Sequence, residues 1–247
     1  MKALIKRMML GALGTLRRDK GGKIVFYHDV IVSQRWTKMG TPFDIFKSHI
    51  ERARDRNWRI VSEGPKNDKE LMIAFDDGFR GIWEAKEYFV ENDIFPTISI
   101  AIDLVGKEGY LTWAEIRELQ SAGFVFQSHT WSHRSLTEVP DSELEHELRD
   151  SRIELSNQLG RPVSQLCFPR GMFSTKVLVE SKIAGYDLFY TSIPGSSRMN
   201  FNEEVATGFP LVPRNLVQFS DVAEFDAVLN GALGCFHSRY WSKQYVG

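Results

Sequence analysis

The chain has 247 residues, of which 43% are hydrophobic and 26% are charged, a balance typical of a soluble globular protein with one large core. Its formal net charge of −1 and its sequence pI of about 6.6 argue against a global basic surface for nucleic acid. Two cysteines, Cys167 and Cys235, are too few for a disulfide framework.

We expect residues 1–22 to form an amphipathic segment ahead of a main domain at residues 23–247. Basic residues precede a short apolar run from Met8 to Leu16, as they do in a signal peptide. The run is broken by glycines, however, and two arginines follow it at once. We therefore expect an N-terminal helix of a cytoplasmic protein, with weak contact to a membrane surface as an option. If the segment is instead an export signal, the protein acts in the cell envelope.

Apolar runs alternate with helical patterns along the rest of the chain. The composition and period of these runs predict strands at 23–28, 58–62, 71–75, 96–102, 124–128, 165–168, 188–192 and 211–217. Spacing and capping residues predict helices from Phe43, over 81–91, between Thr112 and Gly123, over 141–159, after Ser174, and over 221–233. This alternation predicts an α/β fold with a mainly parallel sheet, and the number of units in one domain favours a barrel.

Polar residues collect where the predicted strands end. In α/β folds the carboxyl ends of the strands carry the functional side chains. These positions are His28-Asp29, Asp76-Asp77, His129 with His133, Pro169-Arg170-Gly171, and Arg214. Their concentration at one face of the fold predicts a single site there.

The spacing of His129-Thr-Trp-Ser-His133 allows two imidazoles to meet one cation. With a carboxylate from Asp76-Asp77, this pair suits zinc or a similar divalent ion that keeps open positions for water and substrate. Taken alone, Asp-Asp-Gly is ordinary turn chemistry and the histidines are ordinary loop residues. Together they predict one metal-bound aspartate and one that accepts a proton, hence hydrolysis of an amide or ester. His28 can titrate in the range that a proton donor needs.

Three segments resemble motifs of a known family. Ala74-Phe-Asp-Asp-Gly78, His129-Thr-Trp-Ser-His133 and Phe168-Pro-Arg-Gly171 are similar to the first three motifs of the polysaccharide deacetylases, the NodB-homology group or carbohydrate esterase family 4. The resemblance spans roughly Lys23 to Asn215. It implies a distorted (β/α)7 barrel and metal-dependent removal of acetyl groups, usually N-acetyl, from sugars. Zinc is the expected ion, with cobalt, nickel and manganese as alternatives.

The resemblance also implies roles for individual residues. Asp76 would be the catalytic base, and Asp77, His129 and His133 would hold the metal. The Tyr27-His28-Asp29 strand end is similar to circularly permuted members, including the poly-N-acetylglucosamine deacetylases, and implies His28 as general acid. His237 is the alternative acid, although the apolar strand expected before it is missing.

The third motif departs from the family pattern. Its usual arginine-x-proline is absent, and Arg170 stands where permuted members often have tyrosine. The arginine that steadies Asp76 must then come from elsewhere, and Arg214 is our candidate, with a surface salt bridge as the other interpretation. We expect the Pro169-Arg170-Gly171 turn to face substrate, with a backbone N–H stabilising an oxyanion. Trp131 is a candidate for the substrate groove.

The substrate predicted from these features is an acetylated sugar of a cell-surface polysaccharide or its precursor, with a lipid- or nucleotide-linked sugar as the expected form. No nucleic-acid partner is expected. Two alternatives stay open at this point. One is a carbohydrate-binding or assembly protein on a degenerate barrel, and the other is an esterase or amidase acting on a different acylated substrate.

Overall fold

The computed structural model describes residues 2–17, 19–199 and 208–246. The strands are β1 (Lys23–Tyr27), β2 (Asp29–Ile31), β3 (Gly40–Pro42), β4 (Arg59–Val61), β5 (Glu70–Phe75), β6 (Thr97–Ile100), β7 (Val125–Ser128), β8 (Gln165–Cys167), β9 (Leu188–Tyr190), β10 (Leu211–Val212) and β11 (Asn215–Leu216). The α-helices are α1 (Lys2–Arg17), α2 (Phe43–Asp55), α3 (Gly81–Glu84), α4 (Lys86–Glu91), α5 (Trp113–Ser121), α6 (Asp141–Glu145), α7 (Ser151–Leu159), α8 (Thr175–Ile183), α9 (Val222–Leu229) and α10 (His237–Gln244).

The main sheet curls into the predicted barrel. Among the described residues its strands follow the order β10-β9-β8-β7-β6-β5-β1-β11, with β4 beside β5 and every pair parallel. The outermost strands, β10 and β11, are separated in the chain only by Pro213 and Arg214. The backbone itself therefore joins the two edges, and β10 with β11 acts as one bent strand. With β10 and β11 counted as one strand, and with β4 left out because it pairs only with β5, seven strands form the wall. This count confirms the distorted (β/α)7 barrel.

The strand sequences are apolar on both faces because both faces are covered. Every residue of β1 and β5 is buried. Ile24 and Phe26 point into the barrel with Tyr190, whereas Val25 and Tyr27 pack against the surrounding helices. This double burial explains why the strands read as continuous hydrophobic runs rather than as alternating patterns.

Three predicted elements differ in detail from the structure. The strand at 211–217 bends between β10 and β11, where Pro213 supplies no N–H for a ladder. The helix at 81–91 is interrupted at Ala85, whose φ of −90° and ψ of 4° leave the helical range. The helix at 141–159 contains a π-helical segment, His146–Asp150, and ends as expected at Gly160 with φ 64°.

The N-terminal helix α1 packs on α9. Leu10 is buried against Ala227 and Ala232, and a Cβ on Gly14 would lie 3.1 Å from the Ala227 backbone. No helix within the described ranges is both long and apolar enough to cross a membrane. The domain boundary that we expect at residue 22 stays a prediction.

Candidate active site

Backbone hydrogen bonds continue two strand ladders by one residue beyond the sheet and so fix the first functional side chains. The Asp76 N–H donates to the Tyr27 carbonyl (3.0 Å), and the His129 N–H donates to the Ile100 carbonyl (2.8 Å). Both side chains therefore leave the backbone at defined positions at the carboxyl end of the barrel.

Asp76 and Arg214 form a buried bidentate pair. The two guanidinium Nη atoms donate to Asp76 Oδ1 (2.7 Å) and Oδ2 (2.9 Å), and Ser99 Oγ donates to Oδ1 (2.9 Å). Arg214 is itself anchored through Nε to the Thr191 carbonyl (2.9 Å), and its Nη2 lies 3.0 Å from Cys167 Sγ. Arg214 is 0% exposed, so the interpretation as a surface salt bridge is wrong.

The pair determines the charge state of Asp76. Burial alone would raise the pKa of this carboxyl, but the charge and hydrogen bonds of Arg214 outweigh burial and lower the pKa from 3.8 to about 2. The guanidinium carbon also lies 4.2 Å from the centre of the Phe26 ring, inside the barrel. Asp76 is therefore ionised at neutral pH and held in one orientation.

Asp77, His129 and His133 converge beside this pair. Asp77 Oδ1 lies 3.4 Å from His129 Nε2 and 2.9 Å from His133 Nε2. Burial raises the pKa of Asp77, but the two imidazoles outweigh burial and hold that pKa below its ordinary value. The ligand atoms of the three residues all lie within 4.8 Å of one another, as a shared cation requires.

Two further observations show that these residues fit a divalent cation. Asp77 Oδ1 is buried and, among the described residues, accepts no hydrogen bond of good geometry. His129 Nδ1 lies 2.7 Å from the Cys167 carbonyl, which accepts its N–H and leaves Nε2 as a lone-pair ligand. A backbone carbonyl behind the imidazole is a common way to orient a metal-ligating histidine.

His28 follows β1 directly and lies near Asp76. Its Nδ1 is 2.5 Å from Gln218 Oε1, and its positive form is close enough to lower the pKa of Asp76. His237, the alternative acid, begins α10 and stacks on Trp241 of the same helix, with ring centres 6.2 Å apart. The structure thus places His28 within electrostatic reach of Asp76 and His237 in a helix outside the barrel wall.

The Pro169-Arg170-Gly171 turn follows β8 at the same end of the barrel. Arg170 has φ 58° and an exposed side chain, while Gly171 has φ 71°. A Cβ on Gly171 would come within 2.8 Å of Gln244 Oε1 and 2.9 Å of Ser192 Oγ, so glycine fits best there. Trp131 is half-buried, and its ring centre lies 4.4 Å from that of His146.

Sequence reasoning missed several side chains that support the site. Ser99 and Cys167 contact Asp76 and Arg214, Gln218 holds His28, and Glu147 accepts hydrogen bonds from the loop between the two histidines. Each comes from an element distant in sequence from its partner. No local pattern in the sequence marks these residues, because strands and helices have many serine, glutamine and glutamate residues without such contacts.

The chain is similar in sequence and in fold to known proteins. The family model described as "Polysaccharide deacetylase" matches residues 63–189. The Bacillus subtilis protein named "Putative polysaccharide deacetylase YxkH" is 20% identical over 195 residues, covering 74% of this chain and 69% of that protein.

Solved structures of similar fold include IcaB from Ammonifex degensii, with a TM-score of 0.70, 19% identity, and coverage of 87% of this chain and 99% of that one. BC0361, a polysaccharide deacetylase from Bacillus cereus, gives 0.71 at 22% identity over 85% and 69% of the two chains. The Streptococcus pyogenes deacetylase PplD, solved with acetate, gives 0.68 at 20% identity over 80% and 92%. At these identities the structural likeness shows a shared fold.

Proposed function

We propose that this carbohydrate deacetylase removes N-acetyl groups from a sugar of a cell-surface polysaccharide or its precursor. The chain belongs to the polysaccharide deacetylase family, whose model matches residues 63–189. The observation that carries the proposal is the position of the Asp77, His129 and His133 cluster directly beside the buried Asp76–Arg214 pair. This arrangement provides a cation site and an ionised carboxylate at one mouth of the barrel.

Asp77, His129 and His133 are the proposed ligands of a divalent cation, with zinc as the ion that best suits two imidazoles and one carboxylate. Cobalt, nickel and manganese are alternatives with the same donor set. When bound, such an ion lowers the pKa of a coordinated water and polarises a carbonyl.

Asp76 is the proposed general base. Its Oδ1 accepts hydrogen bonds from both Arg214 and Ser99, whereas the described residues provide Oδ2 with one strong bond, from Arg214 Nη2. A carboxylate oxygen has two lone pairs, so Oδ2 is the atom that takes the proton of the attacking water. Arg214 positions Oδ2 because its two Nη atoms donate to both oxygens of the carboxylate.

His28 is the proposed general acid. Gln218 Oε1 accepts the Nδ1–H of the ring, so the proton given to the leaving nitrogen is the Nε2–H of the doubly protonated imidazole. As the carbon–nitrogen bond breaks, the water oxygen becomes part of acetate and the sugar nitrogen leaves as an amine. The N–H after Pro169, at Arg170, is the proposed donor to the oxyanion, and Trp131 with the Arg170 side chain is proposed to contact the sugar.

The packing of α1 supports a mature protein that keeps its N-terminal helix, because Leu10 is buried against α9. We therefore propose that the enzyme acts in the cytoplasm on a lipid- or nucleotide-linked sugar. N-terminal sequencing of protein isolated from its native host tests this point. A chain that begins after residue 17 would instead favour the exported form.

Metal analysis and product analysis together test the proposed reaction. Zinc-loaded protein should release acetate and free amine in equal amounts from N-acetylated oligosaccharides. Treatment with a chelator should abolish this release, and added zinc should restore it. Release from O-acetyl sugars alone would indicate an esterase. No acetate from any acetylated sugar, despite full metal occupancy, would contradict the proposal.

A further inference from the structure

A buried carboxylate lies behind the loop that joins the two histidines. The side chain of Glu147 is 1% exposed. Its Oε2 accepts the backbone N–H groups of Trp131 (3.1 Å) and Ser132 (2.9 Å). Its Oε1 accepts the Ser132 hydroxyl and a guanidinium N–H of Arg134, the latter at 3.2 Å. One side chain thus holds two residues between the histidines, Trp131 and Ser132, and one residue just after them, Arg134.

The loop needs such support because its backbone is strained. Thr130 has φ 70° and His133 has φ 61°, although neither is glycine. Side chains with a Cβ disfavour this left-handed region by about 1 kcal/mol or more, so external contacts must hold the conformation. The strain lies on both sides of the two N–H groups that Glu147 accepts.

The element that carries Glu147 is unusual as well. Residues His146–Asp150 form a π-helical segment between α6 and α7, a geometry often found at functional sites. His146 places its ring 4.4 Å from that of Trp131, and Ser151 Oγ donates to the Glu147 carbonyl at 2.6 Å. Two neighbouring side chains of the segment, His146 and Glu147, therefore contact the histidine loop.

The charge of Glu147 suits this contact. Burial raises its pKa, but the hydrogen bonds from Ser132 and Arg134 outweigh burial and lower it. An ionised carboxylate makes stronger hydrogen bonds to backbone N–H groups than a neutral group makes.

We propose that Glu147 is a positioning residue, which sets the loop so that His129 and His133 present their Nε2 atoms to one cation. Glu147 does not contact the cation position and acts only through the loop backbone. This inference rests on the proposed metal-dependent function and adds the element that pre-organises its ligands.

Glu143 offers a matched control. It lies one helical turn before Glu147 and also pairs with Arg134, but its side chain is 48% exposed. The described contacts of its carboxylate are with Arg134 rather than with the loop backbone. Comparison of E147Q with E143Q therefore separates support of the loop from simple loss of a charge next to Arg134.

Zinc titration calorimetry on the full chain measures the effect. For E147Q we expect the Kd for zinc to rise about 10- to 100-fold, the range typical of lost outer support to a metal site. The visible absorption of the cobalt-substituted variant should also change. For E143Q we expect less than about a threefold change in Kd. Circular dichroism without metal checks that both variants are folded.

The outcomes distinguish the inference from the function on which it rests. A wild-type protein that binds neither zinc nor cobalt, nickel or manganese would contradict the proposed function. Wild-type binding with an unchanged Kd in folded E147Q would overturn the positioning role alone. If E147Q does not fold, S132A removes the hydroxyl that donates to Glu147 and accepts from Arg134 Nε (3.1 Å), while the backbone N–H groups that donate to Glu147 remain. We then expect a several-fold higher Kd, and an unchanged Kd would overturn the inference.

Discussion

Replacement of Arg214 by methionine removes the cation that faces Asp76 while leaving an apolar side chain of similar length under Phe26. In the wild-type protein the pKa of Asp76 is lowered from 3.8 to about 2. At ~1.36 kcal/mol per pKa unit, this shift corresponds to about 2 kcal/mol that favours the ionised form. Because the folded-state pKa is the lower one, this stabilisation is present above the unfolded pKa and is lost as the pH falls through 2.

Without Arg214, burial raises the pKa of Asp76 and is opposed by the charges of His129 and His28 and by the Ser99 hydrogen bond. Asp29 shows the size of that effect in the same protein, since burial and the nearby Glu84 charge raise its pKa to about 8. In R214M we therefore expect the pKa of Asp76 to lie between 3.8 and about 8. Loss of one partner of a buried ion pair should also lower the free energy of unfolding by about 3–5 kcal/mol at neutral pH.

The pH dependence of kcat/KM for acetate release measures this change. In the wild type we expect no loss of activity from Asp76 protonation above pH 4, since its pKa is about 2. In R214M an acid limb should appear between pH 4 and about 8. R56M is the matched control, because Arg56 makes a bidentate pair with Asp226 at 2.9 Å but is 53% exposed. It should cost less than about 1 kcal/mol and leave the pH profile unchanged. A folded R214M with the wild-type acid limb would refute the reasoning.

Three further substitutions test other parts of the structure. D76N should reduce kcat at least about 100-fold with unchanged zinc content, because Asp76 acts on the proton rather than on the metal; near-wild-type turnover in acetate release would contradict its role as base. Q218L should lower kcat about tenfold, because it frees the His28 ring, and should leave the Kd for zinc unchanged. Loss of zinc binding in calorimetry would argue against the assignment of Gln218 as the residue that orients His28. D29N should raise the free energy of unfolding at pH 7 by up to ~4 kcal/mol, because the buried carboxyl has a pKa of about 8 and its unfolded form is ionised at that pH. In urea titrations wild-type stability should then fall as the pH rises from 4 to 8 and D29N should change little, whereas parallel curves would contradict the buried neutral carboxyl.

Local sequence was sufficient for the features that depend on neighbouring residues. The apolar runs predicted the strands, and the position of Asp76-Asp77 directly after β5 predicted that two carboxylates would reach one mouth of the barrel. The capping box at Thr112 and Glu115 predicted the start of α5, and both of its hydrogen bonds are present. These predictions succeed because periodicity and capping act over two to four residues.

Contacts between distant segments depended on how the barrel closes. The absence of the family's arginine from the third motif made Arg214 a candidate, with a surface salt bridge as the other interpretation. The structure decides because Arg214 lies in the bend between β10 and β11, which turns it inward to a carboxylate 138 residues away. Gln218 meets His28 across 190 residues for the same reason.

The sequence by itself therefore determined the barrel class and the residue types at its strand ends. Only the tertiary structure decided which of those residues pair, since charge pairing and burial depend on distances set by barrel closure rather than by spacing along the chain. Glu147 shows this most clearly. The residues around it have the pattern of an ordinary helix, and its contact with the histidine loop arises from a π-helical segment that brings its carboxylate to the backbone of Trp131 and Ser132.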